Sequence, residues 1–229
     1  MESSEHLRLK ALIREAEREW RDRIEVGPTR LRWRTLPVQV GDAAPDRTLR
    51  DRDGRQRLLS SFWEDGPALF IFWRHFGCGC GIERAARLRA EQPHYEDLEA
   101  RVVVICQGEP ERAAAYADEY DLDCTVLCAP HFEAYEDYGL LETSIVEDGS
   151  DVLDLHRLDD TALDELVIER REAGRPLVDN PWMLPGEFVV DRKGKLVHVH
   201  RYNSCGDYPD PRVLEVAIER AMESGAEAE

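Results

Sequence analysis

Two cysteines separated by a single glycine, Cys78-Gly79-Cys80, are the residues best placed by type and spacing to do chemistry. They lie within Pro67–Glu83, PALFIFWRHFGCGCGIE, where bulky apolar residues give way to three alternating glycines. Ile82, Ala85, Ala86 and Leu88 then recur at helical spacing. The apolar run reads as a strand buried on both faces. A strand, a glycine turn carrying thiols and the start of a helix would set sulfur against unpaired N–H groups and a partial positive charge. Both favour a thiolate. The glycines are expected to let the backbone turn sharply and leave the sulfurs reachable. A cysteine can equally be a small buried hydrophobe, but a segment with three glycines is poor core material. The expected chemistry is thiolate attack on a peroxide or a disulfide, then closure by the neighbouring thiol. Thiols at i,i+2 can reach the α-carbon separation of about 4.4–6.8 Å that a disulfide needs. The resulting ring is small, which suits a reversible couple more than a staple.

Arg74 and His75 precede the thiols. Either can stabilise a thiolate, and His75 can relay a proton. Strand alternation sends them to opposite faces, so one of the two is expected to face the sulfurs. Cys205 lies in a loop after the last strand and is expected to be a bystander, with a second resolving thiol as the alternative. Cys106, Cys124 and Cys128 sit on apolar strands and read as buried structural thiols. His198 and His200 share one strand face, and with His75, Cys78 and Cys80 they suggest a soft-metal site. The second half of a zinc motif is missing, so no metal or other cofactor is expected. Glu83 and Glu91 read as solvated surface acids.

The elements that must hold these residues follow in order. Ser4–Ile24 repeats apolar side chains at helical spacing, with Ser3 or Ser4 as cap. This helix could pack on the domain or pair with a second copy as a homodimer. A linker follows, so residues 1–39 form an N-terminal helix and linker. Residues 40–223 form the main domain, and 224–229 a frayed tail. Thr48–Leu49, a turn at Asp53-Gly54 and Leu58-Leu59 make a hairpin. The helix after Cys80 runs to about Leu98, with Pro93 expected to bend it. Strands are expected at Arg101–Cys106 and Cys124–Cys128, and helices at Glu109–Tyr120 and Phe132–Tyr138. Residues 143–182 read as an insertion, with a helix over Asp160–Ala173. A late hairpin, Phe188–Asp191 and Leu196–His200, precedes a closing helix, Arg212–Met222. This alternation predicts an α/β sandwich.

A net charge of −18 argues against binding nucleic acid or an anionic membrane surface. Met1–Trp20 is charged throughout, so neither a signal peptide nor a membrane span is expected. A cytoplasmic setting follows as the expectation, and six cysteines there are read as reduced, catalytic or metal-linked rather than as a structural disulfide framework. The acid excess with only three lysines, Lys10, Lys193 and Lys195, suits a salt-rich cytoplasm or a GC-rich genome equally.

Taken together these segments resemble the thioredoxin fold, in its peroxiredoxin-like branch of alkyl hydroperoxide reductase/thiol-specific antioxidant (AhpC/TSA) redoxins. VGDAAPDRTLRDRDGRQRLLSSFW resembles that family's opening, FWRHFGCGC (Phe72–Cys80) its active-site start, and FVVDRKGKLVHVHRY (Phe188–Tyr202) its late hairpin. The match spans about Val40–Ala221. It implies a mixed sheet sandwiched by helices, with an N-terminal helical extension and an insertion before the late hairpin. It also implies a peroxide or disulfide substrate and a thiol reductant such as a thioredoxin-like protein. By position, Cys78 is the attacking thiolate and Cys80 its resolving partner; the opposite order stays open, because Cys80 sits relative to Glu83 where peroxidases place their nucleophile. The threonine of the peroxidase motif Pro-x-x-x-Thr-x-x-Cys is absent. So is the arginine of Arg-Gly-x-Phe, replaced here by Pro185-Gly186-Glu187-Phe188. Pro185 resembles the cis-proline of thioredoxin-type reductases, which faces the thiols.

Overall fold

The computed structural model describes residues 4–143 and 179–226. In chain order its elements are α1 (Ser4–Val26), β1 (Thr48–Asp51), β2 (Gln56–Leu58), a 3-10 turn (Leu59–Phe62), β3 (Ala68–Phe72), α2 (Gly79–Asp97) and β4 (Arg101–Cys106). Then come α3 (Pro110–Glu119), β5 (Thr125–Cys128), α4 (Glu133–Asp137), β6 (Gly186–Val190), β7 (Leu196–Arg201) and α5 (Pro211–Ala226). The seven strands form one mixed sheet in the order β2-β1-β5-β4-β3-β6-β7. β3, β4 and β5 run parallel, and β6 and β7 extend the sheet as an antiparallel hairpin. The chain has the thioredoxin-like α/β architecture that its alternation of strands and helices requires.

β3 sits near the middle of the sheet, and all five of its residues are buried. Its alternation divides the core. Leu69, Ile71 and Trp73 face a layer with Ala85 and Leu88 of α2, Tyr116 of α3 and Ile218 of α5. Ala68, Phe70 and Phe72 face the opposite layer, with Phe62, Tyr135 and Tyr138. Each large apolar side chain so buried contributes roughly 1.5–3 kcal/mol, which fixes the strand that carries the site. α2 holds Pro93 within its length. α5 continues to Ala226, into the stretch expected to be tail, and Ser224 Oγ donates to the Arg220 carbonyl. The helix expected over Asp160–Ala173 lies outside the described residues. The edges of that segment are anchored: Thr143 N donates to the Trp182 carbonyl, and Leu184 N to the Leu141 carbonyl. Trp182 Nε1 donates to the carbonyl of Arg23 near the end of α1. Among the described residues, no helix is long and apolar enough to cross a membrane.

Candidate active site

The strand registers bring three distant segments to one end of the sheet. In the antiparallel pairing of β3 with β6, Phe72 lies opposite Gly186, and in that of β6 with β7, Gly186 lies opposite Arg201. The residues just beyond the C-terminus of β3, just before β6 and just after β7 therefore meet. These are Trp73–Cys78, Pro185 and Tyr202–Cys205. Cys78 is the N-cap of α2, with extended backbone, and Gly81 N donates to its carbonyl.

The sulfurs converge there. Cys78 Sγ and Cys205 Sγ are 3.9 Å apart. Arg74 Nη1 donates to Cys78 Sγ at 3.3 Å and also to Cys205 Sγ. Its Nη2 donates to the Pro181 carbonyl. The sulfur of Cys80 completes a group whose members all lie within 4.8 Å of one another. Cys78 and Cys205 are buried, at 3% and 4% exposure, whereas Cys80 is half-buried. All six cysteines are free thiols.

This arrangement splits the protonation states. Hydrogen bonds from Cys205 and Cys80, together with the Arg74 charge, outweigh burial and hold Cys78 far below the usual thiol range. The α2 N-terminus acts in the same direction. For Cys80 the hydrogen bond with Cys205 pulls downward. Its hydrogen bond to Cys78, burial and the Cys78 charge together push it up to about 12. The balance favours the negative charge at Cys78 and the proton at Cys80. Arg74 stays charged: burial disfavours its cation, but the charges of Cys78 and Cys205 prevail.

Neighbouring contacts keep the group in place. Arg112 forms a bidentate pair with Asp179 at 3.0 Å for each bond, lies near Glu109, and covers the Phe76 ring at 5.3 Å. Asn180 N donates to Gln107 Oε1. These contacts fix Pro181, the acceptor of Arg74. Beneath α2, Arg84 donates to both oxygens of the fully buried Glu187, which also accepts from Tyr202 Oη. Tyr208 Oη donates to the Cys80 carbonyl at 2.9 Å. The Cys205 loop is closed by Asp207, which accepts from Asn203 N through its carboxylate and contacts His200 Nε2 through its carbonyl. A narrow crevice touches Arg74, Cys80, Pro185, Cys205 and Tyr208, with a free volume of about 10 Å³. That is room for about one water molecule.

The AhpC/TSA family model matches residues 40–199. The chain belongs to the AhpC/TSA family. It is 26% identical to peroxiredoxin Bcp of Escherichia coli K12 over 104 residues, 45% of this chain and 66% of that protein. The chain thus spans just under two thirds of the length of the curated relatives it matches. Among solved structures, thiol peroxidase from Chromobacterium violaceum superposes with a TM-score of 0.54 at 16% identity. The match covers 87% of this chain and 92% of that one. Peroxidoxin BcpB from Mycobacterium tuberculosis gives 0.53 at 15% identity, covering 84% and 99%. These two likenesses are of fold.

Against this AhpC/TSA frame the sequence expectations divide. The structure brings together Cys78, Cys80, Arg74 and Pro185. Arg74, just past the end of β3, places its guanidinium against Cys78 and Cys205. The Pro185 peptide is trans, unlike the cis-proline it resembles, because no cis bond occurs among the described residues. His75 is buried beside the thiols. Burial first, then the Arg74 charge, lower it to about 4, so its imidazole is neutral near neutral pH. His198 and His200 stack on each other, 6.3 Å between centroids, and do not join the sulfurs. The three sulfurs alone have a spacing that suits a soft cation, but Arg74 Nη1 already bonds to two of them. Cys205, expected to be a bystander, is in the site. Sequence reading also missed Arg112, Asp179 and the Pro181 carbonyl. The turn expected there is present: Cys78 N donates to the His75 carbonyl. None of Gly77, Gly79 and Gly81 has positive φ. Gly81 is required for close approach instead: a Cβ there would lie 2.8 Å from both Trp73 Nε1 and Tyr116 Oη. Cys106 and Cys128 are buried and neighbour each other on β4 and β5, while Cys124 packs at the edge of the same core layer.

Proposed function

We propose that the protein is a thiol-dependent oxidoreductase that reduces peroxides, with Cys78 as the attacking thiolate. The observation that carries this reading is the Arg74 guanidinium 3.3 Å from a sulfur at a helix N-terminus. A charged donor beside the sulfur keeps it ionised and can steady the oxygen of a bound peroxide as its O–O bond breaks. In the step itself the sulfur–oxygen bond forms and the oxygen–oxygen bond breaks. Cys78 becomes a sulfenic acid, and the departing oxygen leaves as alcohol or water. A thiol reductant then returns the protein to its starting state.

Disulfide exchange is the second reading, supported by Pro185 lining the crevice beside Cys80. Stopped-flow mixing of reduced protein with hydrogen peroxide, and separately with a small disulfide, distinguishes them. Peroxide should react with Cys78 well above the rate of free cysteine thiolate, and Cys78→Ser should abolish that phase. A peroxide rate no better than free cysteine, beside a fast disulfide reaction, would establish exchange instead.

A further inference from the structure

The oxidising equivalent taken up at Cys78 has to leave a buried sulfur, and the geometry offers a route the sequence did not. We infer that Cys205, from the β7–α5 loop, resolves oxidised Cys78, and that Cys80 then takes over the bond and carries it to the surface. This inference rests on the thiol-oxidoreductase reading. It adds to that reading a catalytic residue, a change of role for Cys80 and an order of events.

The positions argue for it. Cys78 and Cys205 are already in contact at 3.9 Å, bridged by one guanidinium nitrogen. Their disulfide can form without unwinding α2. Cys80 Sγ is also within 4.8 Å of Cys78 Sγ, but a bond between them would tie the N-cap of α2 to its second helical residue in a small ring, whereas Cys205 reaches Cys78 from a separate loop. A Cys78–Cys205 disulfide would nonetheless be out of reach of an external reductant, since both partners are buried. Of the three sulfurs, only that of Cys80 belongs to a half-exposed residue, and it lies within 4.8 Å of the other two.

The steps balance. Cys205 Sγ attacks the sulfenic sulfur of Cys78: the sulfur–sulfur bond forms, the sulfur–oxygen bond breaks, and water leaves with the Cys205 thiol proton. Cys80 Sγ next attacks Cys205, giving its proton to solvent. The Cys80–Cys205 bond forms, and Cys78 departs as a thiolate. Cys78 is the better leaving group because Arg74 and the helix N-terminus stabilise its anion. An external dithiol then reduces Cys80–Cys205 and is itself oxidised to a disulfide.

The test is disulfide mapping on the full-length chain. Reduced protein is treated with one equivalent of hydrogen peroxide, quenched with an alkylating agent, digested and analysed by mass spectrometry. Wild type should yield Cys80–Cys205. Cys80→Ser should stall at Cys78–Cys205 and lose fast re-reduction by a dithiol. Cys205→Ser should still oxidise Cys78 but lose the Cys205 cross-links, and should form Cys78 sulfinate when a second equivalent of peroxide is added. A Cys78–Cys80 bond in wild type, with Cys205 alkylated throughout, would overturn the relay while leaving the oxidoreductase reading intact. Cys78 alkylated and unoxidised in every form would overturn both. If a variant folds poorly, a quenched time course of the wild type decides the order: Cys78–Cys205 should precede Cys80–Cys205, and an earlier Cys78–Cys80 bond would overturn the relay.

Discussion

Replacing Arg74 with methionine removes the guanidinium that touches Cys78 while keeping a side chain of similar length. Unit charges 3.3 Å apart attract by about 5 kcal/mol at an effective dielectric of 20. Both groups are buried, so solvent screens the pair little. At about 1.4 kcal/mol for each pKa unit, this is roughly 3–4 units. The cysteine hydrogen bonds and the helix N-terminus remain, so a rise of about 3 units is expected. The assay is the rate of alkylation of Cys78 by iodoacetamide as a function of pH, followed by peptide mapping. The rate at any single pH misleads: a higher pKa leaves less thiolate but makes that thiolate more nucleophilic. The midpoint of the profile is free of this compensation. Wild type should stay reactive well into acid, whereas Arg74→Met should titrate towards the ordinary thiol range near 8.5. Arg74→Lys, which keeps charge but loses the fork to Pro181, should fall between them. Superimposable midpoints for wild type and Arg74→Met, with folding confirmed by circular dichroism, would refute the reasoning.

Other consequences concern stability and packing. His75 binds a proton near pH 6.5 when unfolded but only near 4 when folded. Between those values the unfolded chain takes up a proton that the native state does not. Stability should therefore fall by about 3 kcal/mol as the pH drops through this window, and His75→Gln should flatten that part of a denaturant-derived profile. Arg84→Met leaves Glu187 buried without its cation and should cost about 3–5 kcal/mol in urea unfolding. Adding Glu187→Leu should restore much of that loss; no recovery would mean the pair is not what holds α2 to β6. Gly81→Ala should separate Trp73 from Tyr116, now 3.2 Å apart, and destabilise by about 1–3 kcal/mol. A changed tryptophan emission would report it, and an unaltered spectrum and midpoint would show that the site relaxes.

How much of this was readable from the chain depends on sequence separation. The β3–turn–α2 unit was legible because its signals are local: five consecutive apolar residues, then glycines, then helical spacing. Cys205 was not, because its approach to Cys78 across 127 residues depends on two antiparallel registers that no local pattern reports. The signal existed in a weaker form: a hairpin bounded by Pro185 and Tyr202 must return both its ends to the same side of the sheet. The Arg112–Asp179 pair joins α3 to the far edge of the insertion and carries no motif. The turn was legible from its glycines, but which of them is needed for close approach was not, because that depends on side chains from β3 and α3. At Gly81 the contact with Trp73 and Tyr116 decides.

The central claim is that one sulfur of the six is held as a thiolate by a guanidinium and a helix end. Competitive labelling tests it directly. Reduced protein is given less than one equivalent of iodoacetamide in mildly acidic buffer, and the site of modification is mapped. The label should be found on Cys78. A label concentrated on Cys80, the more exposed thiol, with Cys78 untouched, would contradict the account.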